Sequence, residues 1–198
     1  VQERLGCRSP VVLAGMLSAA VERCGWERAA VRVLDIAAGN GVSGEALAAT
    51  GLHPVLGTDI VASAREAVLR DRPGLYDSYL TLDLLALSEP ERTEITALHA
   101  NALSCVAPVG VHGSELPAAA LVAAAGLLVP DAVVVYMHDP HRNPATLPDV
   151  VTRELWSAGL GPGTHAEELA RERYVHRYTV NGAPFEMDRV VWRLRRAG

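Results

Sequence analysis

The distribution of hydrophobic and polar positions predicts a chain in which helices and strands alternate. Apolar residues recur at helical spacing through residues 10–25, and a run rich in β-branched residues follows at 31–38. Further helices are predicted at 42–51, 61–74, 115–130 and 146–159, and further strands at 53–60, 79–84, 94–106 and 132–139. This alternation indicates a parallel sheet with helices on both faces.

The pattern changes near the end of the chain. Residues 173–196 hold two runs of alternating polarity around an Asn181-Gly182 turn signal, which is typical of an antiparallel pair. We therefore predict one α/β domain over residues 1–198. Its sheet is expected to be Rossmann-like, doubly wound, mostly parallel and seven-stranded, with an antiparallel C-terminal hairpin.

Composition and charge narrow the classes of partner. The 198 residues are 49% hydrophobic and 21% charged, as in an ordinary globular domain. No apolar run reaches the roughly 18–20 residues that span a bilayer, so we expect no membrane partner. The net charge of −5 gives no general attraction to nucleic acid. Arginines gather late in the chain and are predicted to form a solvated face: Arg171, Arg173, Arg177, Arg193, Arg195 and Arg196.

The cysteines and the start of the chain bear on its compartment. Cys7, Cys24 and Cys105 are odd in number and widely spaced, so we expect neither a disulfide framework nor a metal knuckle. No signal peptide is evident, and we predict a cytoplasmic protein. The sequence begins at Val1 rather than at Met, which leaves open what precedes it.

The stretch VRVLDIAAGNGVSGEALA, residues 31–48, carries the main candidate site. Gly39-x-Gly41-x-x-Gly44 satisfies the dinucleotide fingerprint, and Asp59 follows at the expected spacing. Taken alone, this spacing favours NAD. Two carboxylates, Asp35 and Glu45, flank the turn, and at about 4–6 Å a carboxylate opposes a phosphate by about 1–4 kcal/mol. The charges instead favour a ligand that carries an ammonium and a sulfonium, such as S-adenosylmethionine (SAM).

The same residues carry a family resemblance. VLDIAAGNGVSGEAL, followed by VLGTDI and YLTLDL, resembles the class I SAM-dependent methyltransferases, and the similarity extends over nearly the whole chain. ALHANALSCV is similar to the fourth-strand motif, and GLLVPDAVVVY to the segment leading into the fifth strand. Within the class, the GNG turn and the tail are similar to the small-molecule, Williams–Beuren-type methyltransferases.

The resemblance implies a set of SAM contacts at successive strands. The methionine end would meet the first turn, the ribose hydroxyls the second strand end and the adenine the third, while the fourth strand would line the floor near the methyl group. In chain order the residues are Asp35, Ala37, Gly39, Asn40 and Gly41; Asp59 and Ile60; Asp83 and Leu84; and His99, Ala100 and Asn101. Each acid also has a structural interpretation as a cap or a turn acceptor, but three acids at three successive strand ends jointly favour a ligand.

Two departures from the family pattern bear on this site. Ala37 occupies the position of the usual first glycine, which is tolerable if its φ is negative. No Asn-Pro-Pro-Tyr-type tetrapeptide follows the fourth strand, so N-methylation of a nucleobase or an amide loses support.

A proton acceptor is needed only if the methyl acceptor must lose a proton. The candidates are His99, His112, His138 and His141, with Glu115 and Asp139 as carboxylates. His138 and His141 follow the fifth strand directly, where an acceptor would lie, and they are our predicted catalytic residues. Two histidines without a third ligand give no metal site.

We therefore predict SAM-dependent methyl transfer, at oxygen or carbon, to a small and moderately hydrophobic molecule, as in secondary metabolism. The N-terminal segment 1–30 and the loops after the fourth and fifth strands are expected to build the acceptor site of a monomer or homodimer. One alternative is a SAM-binding protein of the same fold that does not methylate, either a cyclase-like enzyme or a regulatory subunit. An NAD-dependent oxidoreductase is disfavoured by the two acids at the turn.

Overall fold

A computed structural model describes residues 7–110, 116–140 and 151–196. Its helices are α1 (Ser9–Arg23), α2 (Val42–Ala49), α3 (Ala62–Asp71), α4 (Glu89–Thr96), α5 (Ala118–Ala125) and α6 (Arg153–Leu160), with a 3₁₀ turn at Arg28–Ala30. Its strands are β1 (Arg32–Ile36), β2 (His53–Asp59), β3 (Ser78–Thr81), β4 (Ala102–Gly110), β5 (Leu116–Pro117), β6 (Asp131–His138), β7 (His165–Tyr178) and β8 (Pro184–Arg195).

Seven of these strands form one continuous sheet in the order β3-β2-β1-β4-β6-β8-β7, and the two-residue β5 pairs with the end of β4. β8 runs antiparallel to both of its neighbours, whereas the other pairs are parallel. The strand order reverses between β1 and β4. Ligands of such sheets bind at the carboxyl ends of the strands beside this reversal, so the turn after β1 lies in the expected place.

Each face of the sheet is covered by its own helices. Leu13, Leu17 and Val21 recur along α1 at spacings of four residues and are fully buried, in a cluster that also holds Leu47 of α2 and Val33 of β1. The opposite face packs against α4, α5 and α6 around Trp156 and Tyr136. Among the described residues, no helix is both long and apolar enough to cross a bilayer.

The predicted fold class is confirmed, but one predicted strand is wrong. Residues 94–106 were expected to be extended, whereas α4 continues to Thr96 and β4 begins only at Ala102. α4 is fixed at its start by a capping box, in which Ser88 and Glu91 each bond the other's backbone amide. The helix predicted at 115–130 is shorter, at Ala118–Ala125, and the antiparallel pair is longer than expected because β7 begins at His165.

Candidate cofactor site

The turn after β1 is built from residues with left-handed backbone conformations. Gly39 has φ +55° and Gly41, the N-cap of α2, has φ +84°. A Cβ placed on Gly39 would meet no atom within 4 Å, so this glycine faces open space. A Cβ on Gly41 would instead meet Leu75 and Val68 at 3.2 Å, because that residue faces α3. Only Gly39 therefore leaves room for a ligand to approach the backbone closely.

Ala37 corrects one expectation. The sequence predicts a negative φ for Ala37, where the family has a glycine, but its φ is +50°. A left-handed conformation costs a residue with a Cβ roughly 1–2 kcal/mol. The turn thus carries backbone strain one residue after β1.

Asp35, on β1, is fully buried on the face covered by α1 and α2. Its Oδ2 accepts hydrogen bonds of 2.7 Å from Ser43 Oγ on α2 and from the Tyr76 hydroxyl. Its Oδ1 is buried without a hydrogen-bond partner among the described residues. Ser104 is the register partner of Asp35 on β4, but its hydroxyl is also without a partner there.

Burial raises the pKa of Asp35 from 3.8 to about 6, even though the hydrogen bonds from Ser43 and Tyr76 act to lower it. The same burial, together with the neighbouring Asp35 carboxylate, raises the pKa of Tyr76 far above its ordinary value, so its hydroxyl remains a donor. At neutral pH the site therefore contains a buried, mostly ionised carboxylate with a vacant acceptor atom.

Tyr76 reaches Asp35 through a gap left by a glycine. A Cβ on Gly44 of α2 would collide with the Tyr76 hydroxyl and would lie 2.5 Å from its Cζ. This is the close-packing role expected of the third glycine in the fingerprint. Tyr79 packs edge-on against Tyr76 and donates to the carbonyl of Gly39 at 2.7 Å.

Asp59 ends β2 and ties together the two loops that flank the site. Its Oδ2 accepts from the Gly39 amide at 2.9 Å and its Oδ1 from the Val61 amide at 3.0 Å. Each carboxylate oxygen has a second acceptor position, and Asp59 is only partly buried. The residue can therefore accept bonds from ligand hydroxyls while it holds the turn.

Apolar side chains are exposed beside these acids. Ile60 and Val61 follow Asp59 and are 68% and 52% exposed. Asp83 is exposed and accepts from the Leu85 amide at 2.9 Å. Leu84, a predicted adenine contact, has its side chain packed into the core and could meet a ligand only through its backbone. The next residue, Leu85, has an exposed side chain.

His99, Ala100 and Asn101 lie at the wrong edge of the sheet for the predicted role. Asn101 bonds the amide of Arg32, the first residue of β1, and Asn101 precedes β4. At about 3.3 Å per strand residue, it lies roughly 13 Å from the level of Cys105. The prediction that these residues line the floor near the methyl group fails because the fourth strand begins later than its sequence pattern indicated.

Glu45, one of the two carboxylates predicted to oppose a phosphate at the turn, is neutralised by an arginine. Glu45 pairs with Arg72 at 3.0 Å, and Arg72 also donates to the carbonyl of Asn40 at 3.0 Å. Of these two carboxylates, Asp35 has no ion pair among the described residues, whereas Glu45 is neutralised by Arg72.

His138 lies at the last position of β6, as expected, but its ring is 4% exposed. Its Nε2 lies 3.3 Å from Arg171 and 3.8 Å from Asp188. The charges of Arg173, His138 and Arg171, with the Arg173 hydrogen bond, lower the pKa of Asp188 although burial alone would raise it. His138 thus belongs to a buried ionic cluster, while His141, His112 and Glu115 lie outside the described residues.

Sequence reasoning missed the hydroxyl partners of Asp35. Ser43 lies inside the fingerprint, so its position was an available signal, but nothing in the stretch GLYDSYL marks Tyr76 as a partner 41 residues away. The described residues contain no group of three metal-ligating side chains, so they give no candidate metal site.

Comparisons with known proteins show the fold. No known family profile matches the chain, and no curated protein matches it in sequence. A proposed RNA methyltransferase from Pyrococcus horikoshii shares 14% identity over 93% of this chain and 83% of its own, with a TM-score of 0.60. A SAM-dependent methyltransferase from Anabaena variabilis shares 14% identity over 91% of this chain and 84% of its own, with a TM-score of 0.58. The plantazolicin methyltransferase BpumL, solved with SAH, shares 10% identity over 99% of this chain and 87% of its own, with a TM-score of 0.60.

The chain therefore has the fold of the class I SAM-dependent methyltransferases. Three features of its own structure fit a bound SAM. Gly39 leaves the backbone open to close approach, Asp35 Oδ1 is a buried acceptor that no described residue bonds, and Asp59 stands beside the exposed side chain of Ile60.

Proposed function

We propose that this protein transfers the methyl group of SAM to a small, moderately hydrophobic acceptor at oxygen or carbon. The observation that carries the proposal is the position of Asp59, whose carboxylate joins the Gly39 turn to the exposed apolar pair after β2. An acid next to an exposed apolar side chain matches a ribose joined to a base. Bound SAM would supply a methyl group on a positively charged sulfur.

Asp35 supports a cationic cofactor over a dinucleotide. Its carboxylate is mostly ionised at neutral pH, and one of its oxygens has no hydrogen-bond partner in the part of the chain that the structure describes. Such a group costs stability unless a positive charge lies nearby, and it opposes a pyrophosphate. SAM brings an ammonium and a sulfonium to this end of the site, whereas NAD brings phosphates.

The charge distribution supports a small acceptor over RNA. Arginines of the β7–β8 hairpin are paired with acids, among them Arg173 with Asp188 and Arg193 with Asp131. Further pairs join Arg171 to Glu168, Arg189 to Glu172 and Arg195 to Glu167. Cations neutralised in this way release few counterions and offer a phosphate backbone little. The fold itself accommodates natural-product chemistry, since BpumL is a plantazolicin methyltransferase.

The proposal is tested by following tritium from methyl-labelled SAM into a panel of small phenols and enolisable ketones, with transfer RNA as the competing acceptor. We expect label in the small molecules. Gly39→Val should abolish transfer because the new side chain occupies the open space at the turn. Gly74→Val is the matched control, since Gly74 also has positive φ and open surroundings but precedes β3. Label in RNA alone, or equal effects of both variants, would contradict the proposal.

A further inference from the structure

A chain of hydrogen bonds joins the β7–β8 hairpin to the start of α1. Ser9 Oγ lies 2.5 Å from Nδ1 of His176 and 2.7 Å from the hydroxyl of Tyr174. That hydroxyl donates to the sulfur of Met137 at 3.2 Å. Ser9 is fully buried, so its hydroxyl has little access to water as an alternative partner.

The direction of the chain follows from its last member. A thioether sulfur can only accept, so the bonds of Tyr174 to Met137 and to Ser9 can form together only if its single proton is used on Met137. The Tyr174 oxygen then accepts from Ser9, and the Ser9 oxygen accepts from Nδ1–H of His176. This leaves Nε2 of His176 without a proton. No described residue donates a hydrogen bond to that nitrogen.

The backbone aims His176 toward α1. The β7–β8 register shifts between Val175 and Arg177, which makes His176 the extra residue of a β-bulge. Bulges re-aim side chains and are common beside active sites. Tyr174 and Phe185 of the hairpin pack in the same cluster as α1 and α2, and the His176 ring meets Phe185 edge-on. His176 is therefore on the face of the sheet that also holds Asp35.

His176 also lies at the correct edge. Asp188 of β8 pairs with His138, the last residue of β6, on one side and with Arg173 of β7 on the other. Arg173 is therefore level with the end of β6, and His176 lies three residues beyond it. At about 3.3 Å per residue this is roughly 10 Å past the strand end, on the carboxyl side of the sheet and three strands from β4. His138 at the same edge is enclosed, but His176 is only half-buried.

We propose that His176 is the group that accepts the proton of the methyl acceptor, at Nε2, with Ser9 and Tyr174 as positioning residues that fix its tautomer. The inference rests on the proposed function. The proton of an acceptor O–H would move to Nε2, and the bonding pair would stay on oxygen. That oxygen would bond the methyl carbon as the carbon–sulfur bond of SAM breaks and its electron pair goes to sulfur, which leaves as a neutral thioether.

The charged surroundings keep His176 neutral at neutral pH. Burial and the charge of Arg177 lower its pKa from 6.5, and the charge of Asp139 opposes them. The thiol of Cys7, on the segment before α1, also faces the ring and lies 4.0 Å from Nδ1 of His176. Burial raises the pKa of Tyr174 to about 12, so Tyr174 stays protonated and keeps donating.

The tautomer can be measured without knowing the acceptor. Long-range ¹H–¹⁵N NMR spectra of the full chain distinguish Nδ1–H from Nε2–H rings, and the His176 signal is assigned as the one lost in His176→Asn. We expect Nδ1–H in the native protein at pH 7.5. Tyr174→Phe removes the acceptor for the Ser9 proton, so Ser9 should turn and donate to Nδ1, and the ring should change to Nε2–H. His165→Asn, on the other end of β7, should leave the His176 signal unchanged.

An Nε2–H ring in the native protein, or a ring unaffected by Tyr174→Phe and Ser9→Ala, would overturn the proposal. In the phenol assay, His176→Asn should lower the transfer rate at least ~100-fold while SAM affinity stays within about twofold. Unchanged transfer by that variant would also overturn it, and would leave the proposed function standing. Absence of SAM binding by the native chain would instead refute the proposed function.

Discussion

The buried carboxylate of Asp35 is only partly stabilised by hydrogen bonds from its surroundings. Two hydroxyls bond one carboxylate oxygen, while the other oxygen is buried and receives no hydrogen bond from a described residue. The folded protein binds a proton at this residue up to about pH 6, well above the ordinary value of 3.8. Between these pH values Asp35 is protonated in the folded state and ionised in the unfolded state. Protonation of Asp35 therefore stabilises the fold fully below about pH 3.8, and this stabilisation is lost as pH rises through 6.

Asp35→Asn should therefore stabilise the protein at neutral pH. The amide oxygen can still accept from Ser43 and Tyr76, and it carries no charge at any pH. We expect the free energy of unfolding of the variant, relative to the native protein, to rise by up to about 3 kcal/mol between pH 4 and pH 7.5. Denaturant titrations at several pH values measure this difference. Glu66→Gln, at an exposed carboxylate of α3, is the control. A flat difference for Asp35→Asn would show that the Asp35 carboxylate is not desolvated.

Ala37 allows a second test of strain at the turn. Ala37→Gly removes a Cβ at φ +50°, and the expected gain is about 0.5–1 kcal/mol once the extra flexibility of the unfolded chain is deducted. Ala38→Gly is the control because Ala38 has no positive φ, and it should lose stability. Thermal unfolding of both variants measures the effect. A loss at Ala37 as large as that at Ala38 would show that the turn is unstrained.

At the scale of elements, the site depends on how α2 approaches the sheet. Gly44 lets the Tyr76 ring lie under the helix, where its hydroxyl reaches β1. The segment that carries Tyr76 and Tyr79 thus connects α2, Asp35 and the Gly39 carbonyl. Packing between elements, and not the turn alone, sets the position of the first candidate cofactor contacts.

Gly44→Ala should displace Tyr76 and cost roughly 1–3 kcal/mol of stability. The variant Tyr76→Leu removes both the hydroxyl and the ring. In that background Gly44→Ala should cost less, since the helix methyl no longer meets the ring, and this coupling is measured by a double-mutant cycle. Equal costs of Gly44→Ala in the two backgrounds would refute the contact.

The sequence was informative about elements where periodicity and strand ends coincide. Asp35 and Asp59 were located because each stands at or next to the end of a run of buried apolar residues, and those strands were correctly predicted. Residues 94–101 were misjudged because their apolar positions belong to the end of α4 and a loop, and tertiary packing decides between these states. The hydroxyl of Tyr76 and the link from Ser9 to His176 join distant parts of the chain, and no local pattern encodes such contacts.

At the scale of the whole molecule, the sheet brings charge and apolar surface together at one edge. The carboxyl ends of β1, β2 and β6 carry Asp35, Asp59 and His138, and the β7–β8 hairpin extends past them with His176. Two of the acids that neutralise late arginines, Asp131 and Glu167, lie at the opposite edge, near the starts of β6 and β7. In the account proposed above, the cationic cofactor would lie at β1 and β2 and the methyl acceptor beside the hairpin.

Calorimetric titration of SAM into the native chain, Asp59→Ala and Asp77→Ala tests the central claim most directly. Asp59 would bond two ribose hydroxyls, each worth about 1.5–3 kcal/mol at most, so its loss should weaken SAM binding about 10–100-fold. Asp77→Ala, before β3 at the opposite edge, should bind SAM as the native chain does, and NAD should bind far more weakly than SAM to all three proteins. Unchanged SAM affinity in a folded Asp59→Ala protein, or a native preference for NAD, would contradict the account.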